Sequence, residues 1–419
     1  MNNITAGKGK TLMGCLLMIA LLAMPASSQT TAGKSRQANL PRVFLLNARK
    51  LEEARKNILA GHQSSVAALA KLEREARQAL EAESFSVVNK AVIPPSKDKH
   101  DYLSQAPYFW PDPHIPNGLP YIRRDGERNP EIIKITDAQN MSRLAGTTAT
   151  LALAYYLKGD EQCAAKAAQL LRAWFLAPAT KMNPHLNYAQ FVPGVNDGRG
   201  IGIIESRSLT QVVDAVGLLA GSKAWTETDQ QGLQSWFAKY LKWLLESPNG
   251  KAEAAAKNNH GTWYDTQVVS FALFTGDREL AATVLRESRQ KRIARQIASD
   301  GRQPLELERT RAWSYSVMNL QGLFDLATLG EAVGLELWDY QTPDRRGLRK
   351  ALDWLIQFAD GTQKWSYPQI REWSPAELAP LLRQAALKYH ESKYEDLRVR
   401  LAGNNSADRM NLLNPQMAR

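Results

Sequence analysis

Asn259 and His260 stand side by side in the run Asn258-Asn259-His260-Gly261-Thr262-Trp263-Tyr264-Asp265, where a polar break meets a helical pattern. An amide donor and an imidazole projecting together into a cleft can act on one carboxylate and on the carbon beside it. The same residues also read as structure, since an Asn caps a helix and Gly261 permits an unusual backbone turn. A second group, Glu306-Leu307-Glu308-Arg309-Thr310-Arg311-Ala312-Trp313-Ser314-Tyr315, puts an arginine shortly before a tyrosine. On the helix that follows, Trp313, Val317, Leu320 and Phe324 share one face. At about 100° per residue Tyr315 lies roughly 200° from Trp313 and points away from that stripe, along with Asn319 and Gly322. It either packs against a neighbouring helix or lines a cleft in which Arg309 holds an anion beside a protonated phenol.

A third group is the stretch Tyr108-Phe109-Trp110-Pro111-Asp112-Pro113 followed by Gly118-Leu119-Pro120-Tyr121-Ile122-Arg123-Arg124-Asp125-Gly126. Its prolines stiffen the loop, Trp110 and its neighbours offer stacking faces, and Arg123 and Arg124 offer forks for carboxylates. The alternative is a rigid cover over helix ends. The six histidines show no His-x-x-x-His spacing and no acidic loop has the alternation of a calcium site, so the sequence implies no metal and no cofactor.

Helical patterns must position these groups. Residues 45–83 are rich in Ala, Leu, Glu, Lys and Arg without internal Pro, whereas residues 93–131 crowd eight prolines among aromatics and charges and read as a long ordered loop. Helical runs then cover about 160–176, 227–247, 262–274, 279–296, 312–330, 346–358 and 376–401. Leu209, Val212, Val213, Val216 and Leu219 form the apolar stripe of a surface-facing helix. Strand-like alternation is nearly absent, and helix–loop–helix recurrence predicts an all-α fold, an (α/α) toroid in preference to a superhelical solenoid.

Lys8 and Lys10 precede an apolar run from Leu12 to Met24, and Ala26-Ser27-Ser28 offers a small-residue cleavage site. Residues 1–28 are therefore expected to be a secretory signal peptide, and residues 29–419 one domain in the periplasm or outside the cell. No later stretch approaches the roughly eighteen apolar residues of a membrane span, which argues against stable membrane insertion. Loss of the leader removes Cys15 and leaves Cys163 alone, so core burial rather than a disulfide must stabilise the chain. The net charge falls from +11 to +9 with the loss of Lys8 and Lys10. A positive field favours polyanions, and secretion makes an acidic polysaccharide a better partner than nucleic acid. Nothing in the sequence fixes an oligomeric state.

The chain resembles the poly-mannuronate type of alginate lyase and its toroidal relatives, which include glucuronan lyases. The resemblance runs from about residue 95 to 330 and is carried by several motifs in the same order: Tyr108–Pro113 with Gly118–Glu131, Met182-Asn183-Pro184 through Gln190, Gly198-Arg199-Gly200 through Glu205, Asn258–Trp263 and Glu306–Tyr315. It implies Asn259, His260, Arg309 and Tyr315 as the catalytic set. Substrate contacts are expected from Arg123, Arg124, Trp110, Tyr264 and one or more of the amides Asn187 and Gln190. Better-characterised members place one more residue between the Arg and the Tyr, which sets this chain closer to relatives with broader uronate specificity. The implied reaction is β-elimination in a uronate polymer. A toroidal hydrolase would instead need two of Glu205, Asp265, Glu306 and Glu308 across the scissile bond, with Glu306 and Glu308 otherwise placed to orient the nearby arginines. A non-catalytic periplasmic binding protein would use the same basic and aromatic cleft without turnover.

Overall fold

Gly61, in the left-handed region at φ 76°, splits the first helical stretch into α1 (Ala48–Leu59) and α2 (Gln63–Leu80). The computed structural model describes residues 40–415, and the leader expected over residues 1–28 lies outside them. Next come α3 (Asp137–Lys158), closed by left-handed Gly159, then α4 (Glu161–Leu171), α5 (Leu209–Leu218), α6 (Glu227–Glu246), α7 (Pro248–Ala254), α8 (Asn259–Thr275) and α9 (Arg278–Ser288). The C-terminal part holds the short α10 (Ala294–Gln296) and α11 (Pro304–Leu307), then α12 (Ala312–Glu331), α13 (Leu348–Ala359), α14 (Ala379–Tyr389), α15 (Ser392–Ala402) and α16 (Met410–Leu413). The run expected over 376–401 divides because His390 takes a left-handed conformation at φ 55°. Among the described residues no helix is long and apolar enough to cross a membrane.

Helices pack in two layers. α3, α5, α8 and α12 lie next to one another in that order, and α2, α4, α6 and α9 pack against them from outside. This is the all-α (α/α) toroid. α8 buries every residue from Gly261 to Phe274, as an inner helix must. α5 departs from expectation: besides its stripe it buries Thr210, Asp214, Ala215 and Leu218, because α3 and α8 flank it. Its one acid on that second face is satisfied by the segment preceding α1, since Asp214 accepts the backbone N–H groups of Phe44, Leu45 and Leu46 at 2.6, 3.0 and 2.6 Å. Burial still lifts its carboxyl to about 6 against those three bonds.

The proline-rich stretch is a loop with two minimal strand pairings. β1 (Leu103–Gln105) pairs parallel with β4 (Tyr188–Phe191), matching Leu103 to Tyr188 and Gln105 to Phe191. β2 (Phe109–Trp110) pairs antiparallel with β3 (Ile122–Arg123), matching Phe109 to Arg123 and Trp110 to Ile122. A buried ion pair, Lys90 with Asp137 at 3.0 Å, fixes β1 to the start of α3, because the same carboxylate accepts the N–H of Leu103.

Candidate active site

The site forms where α8 and α12 begin side by side. Asn258 caps α8 by accepting the N–H of His260, so the capping role and the functional placement coexist, on neighbouring residues. Gly261 is helical rather than turned. It has no room for a side chain, because a Cβ there would meet the Ala256 carbonyl and the Arg292 guanidinium. That arginine, itself buried, makes two bonds to Asp265 at 2.7 and 3.0 Å and donates to the carbonyls of Ala254 and Ala256. The turn from α7 into α8 is thereby fixed.

Asn259 is wholly buried. Glu306 grips it twice, accepting its backbone N–H and its side-chain Nδ2, both at 2.6 Å. Glu306 therefore orients an asparagine, not an arginine as the sequence led one to expect, and Glu308 is exposed. Burial raises the Glu306 carboxyl, opposed by the two Asn259 bonds and by the nearby charges of Arg309 and His260. His260 is mostly enclosed, with 13% of its side chain exposed, and its Nδ1 lies 2.7 Å from an oxygen of Glu253.

Arg309 lies over the Tyr315 ring, its guanidinium carbon 3.9 Å from the ring centre. It also makes a forked pair with Asp125 of the loop at 2.9 and 3.2 Å. Burial works against charge on Asp125, but Arg309, Thr310 and Arg123 outweigh it and hold the carboxyl down at about 2. The Tyr315 hydroxyl donates to the Tyr108 hydroxyl at 2.9 Å. Burial, and then that bond, push the Tyr315 hydroxyl well above its ordinary range, against the pull of Arg309. The four residues Asn259, His260, Arg309 and Tyr315 are thus brought together, with Glu306 between the two halves. On α12 the face behind Tyr315 is internal: Asn319 is buried against Gln296 and Gln303, and Gly322 leaves space for Thr262 and Trp263 of α8.

The loop residues close one side. Arg123 is exposed and bonded to Asp125 at 2.7 Å, while the Arg124 guanidinium stands over the Trp110 ring at 5.4 Å. Trp110 itself donates to the Glu127 carbonyl. Asn187 is exposed, accepting from Trp243. Gln190 is not free: it is buried at a left-handed φ of 49°, donates to Glu205 and accepts from Arg199, both at 3.1 Å. Its role is to hold those two residues rather than to reach into solvent. Tyr264 departs further from expectation. It is buried, and its hydroxyl donates to the Leu244 carbonyl of α6 at 2.8 Å, so it belongs to the core.

Sequence reasoning missed several groups in the same place. Arg199 lies over the Phe109 ring at 4.8 Å, and Arg207 over Trp263 at 5.7 Å. Burial lowers the pKa of both, with Glu205 opposing. Glu253, which meets His260, sits on a short helix whose only signal was Ser247-Pro248, a capping serine followed by a proline at the first helical position. Among the described residues no cluster of three His, Cys, Asp or Glu side chains is arranged to hold a metal ion.

The family model described as "Alginate lyase" matches residues 86–365. No curated protein sequence matches. Among solved structures, an alginate lyase from Bacteroides ovatus is 38% identical, with a TM-score of 0.86 over 90% of this chain and 99% of that one. Alginate lyase A1-III from Sphingomonas species A1 has the same fold at 16% identity, with a TM-score of 0.55 over 90% of this chain and 98% of that one. A variant of alginate lyase A1-III complexed with a tetrasaccharide aligns at 14% identity and a TM-score of 0.58, over 91% and 98% of the two chains. With a family model spanning most of the chain and a 38% identical relative covered almost end to end, the chain belongs to the alginate lyase family of polysaccharide lyases.

Proposed function

We propose that this lyase cleaves the 4-O-glycosidic bond of an acidic uronate polymer by β-elimination, leaving 4,5-unsaturated uronate ends. Alginate, in particular its poly-mannuronate, is the first substrate to test, and glucuronan the second. The observation that carries the reading is the half-buried Tyr315 phenol, kept protonated and lying under Arg309, in one linked group with Asn259 and His260. In the elimination a base takes the C5 proton, that electron pair becomes the C4=C5 bond, the C4–O4 bond breaks, and O4 takes up a proton. Tyr315 is suited to give that last proton, and His260 to take the first. C5 is barely acidic beside a full carboxylate charge, so donors such as the remaining guanidinium hydrogens of Arg309 would stabilise the enolate-like intermediate in a preorganised site.

The hydrolytic alternative finds no suitable pair of acids. Asp265 is paired to Arg292 and Glu306 to Asn259. Glu205 accepts from Tyr102 and Ser104 at 2.8 and 2.6 Å, and Glu308 is exposed. A panel of uronate polymers followed by near-ultraviolet absorbance tests the proposal, since only elimination creates the conjugated product. No metal is invoked, so full activity is expected in excess chelator. A loss that zinc or calcium restores would contradict a metal-free elimination. The leader supports action in the periplasm or outside the cell, which the N-terminus of the protein recovered from those fractions would establish.

Arg123, exposed, and Arg124, half-buried, supply positive charge beside the site, so substrate binding is expected to weaken with salt, as attraction is screened over roughly 8–10 Å at 0.1–0.15 M. Replacing both with Ala should raise KM more than it lowers kcat. An unchanged KM with an unchanged salt response would remove the loop from substrate binding.

A further inference from the structure

We propose that Glu253 is a positioning residue for this lyase: it accepts the Nδ1 hydrogen of His260 and so holds the imidazole with Nε2 bare and free to meet substrate. The inference rests on the elimination reading, in which His260 takes the C5 proton.

The geometry leads there in three steps. Nδ1 of His260 and a carboxylate oxygen of Glu253 are 2.7 Å apart, too close for two lone pairs to face each other, so a hydrogen lies between them. Imidazole binds a proton more tightly than a carboxylate does in their reference states, which puts that hydrogen on the ring. A neutral ring carrying hydrogen on Nδ1 has its lone pair on Nε2, the form a base requires.

The support for Glu253 is rigid, as such a role demands. Only 3% of its side chain is exposed. The helix that carries it is capped by Ser247, begins with Pro248, and packs so closely on residues 200–208 that a Cβ on Gly200 would meet Asn249, Ala252 and Glu253. At its far end Arg292 ties the Ala254 and Ala256 carbonyls to Asp265 of α8, the helix that bears His260. Arg199 lies near enough for its charge to act on Glu253. Carboxylate, ring and both helices are therefore held in one frame, with Asn259 fixed from the other side by Glu306.

The test reads the ring directly. In protein labelled with 15N-histidine, the signal of His260, identified by its absence from His260→Ala, should show the tautomer with hydrogen on Nδ1. In Glu253→Gln the amide can also donate to Nδ1, so the opposite tautomer should appear. Turnover should then fall by roughly 10²–10⁴-fold with KM changed less than about 3-fold, the upper end being that seen when a carboxylate that sets a histidine tautomer is neutralised. A wild-type ring with hydrogen on Nε2 overturns the proposal without recourse to any variant at Glu253. A folded Glu253→Gln enzyme with turnover within about 3-fold of wild type overturns it equally. Should the wild type release no unsaturated product from any uronan, the elimination reading itself fails, while the tautomer still decides whether Glu253 sets the ring.

Discussion

Tyr315→Phe is expected to lower turnover by roughly 10²–10⁴-fold, the range for a lost general acid or base, with little change in folding or in polymer binding. The substitution keeps the ring on which Arg309 lies and removes only the hydroxyl, so the packing of α12 stays intact. It deletes one hydrogen bond, to Tyr108, itself a hydroxyl that can turn to another partner. Those losses cost about 1 kcal/mol of stability, too little to unfold a domain of this size. A large fall in kcat with KM nearly constant would therefore report the proton and not the fold. Circular dichroism and retained binding of the polymer provide the controls. A folded, binding-competent variant that still makes unsaturated product at near wild-type rate would remove Tyr315 from the chemistry.

His260→Ala should be as severe, again about 10²–10⁴-fold in turnover, but its interpretation needs a second arm. The imidazole could act as the base, or as a cation that neutralises the substrate carboxylate while Tyr315 performs both proton transfers. The Tyr315 hydroxyl is pushed up by burial and by Tyr108, which makes it a reluctant base and favours His260 in that role. The side chain removed leaves a space beside Glu253 that free imidazole can enter. Added imidazole is expected to restore part of the turnover, and the rescue should grow with the neutral form of imidazole as pH rises. Rescue that follows the imidazolium instead would assign His260 to charge neutralisation.

How far these residues could be foreseen depends on the range of the interactions that place them. Tyr315 was legible because helical periodicity alone turns it away from Trp313, and that local geometry survives in the fold. Tyr264, expected among the substrate contacts, lies one helical turn beyond His260 and on nearly the same face, yet it is buried. One turn further along, α8 has already entered the core, where the Leu244 carbonyl of α6 captures the hydroxyl. Gln190 and Asn187 look alike as amides, yet the pairing of β4 with β1 turns Gln190 inward onto Glu205 and Arg199 and leaves Asn187 outside. Glu253 and Asp125 were missed for a different reason. Each matters through a partner on another element, and no periodicity within a segment announces such a pairing. The α5 stripe was read correctly as apolar but assigned to the surface, because a single stripe does not reveal that a second layer covers the other face.

The most direct test of elimination weighs the products. A uronate oligosaccharide of defined length is cleaved once, and the two fragments are measured by mass spectrometry. Elimination adds nothing, so the fragment masses should sum to the mass of the parent, with the fragment from the non-reducing side of the cut carrying no unsaturation and its partner absorbing in the near ultraviolet. Fragments that together exceed the parent by one water, with no absorbing end, would mean hydrolysis and would contradict both His260 as the base and Tyr315 as the acid of an elimination.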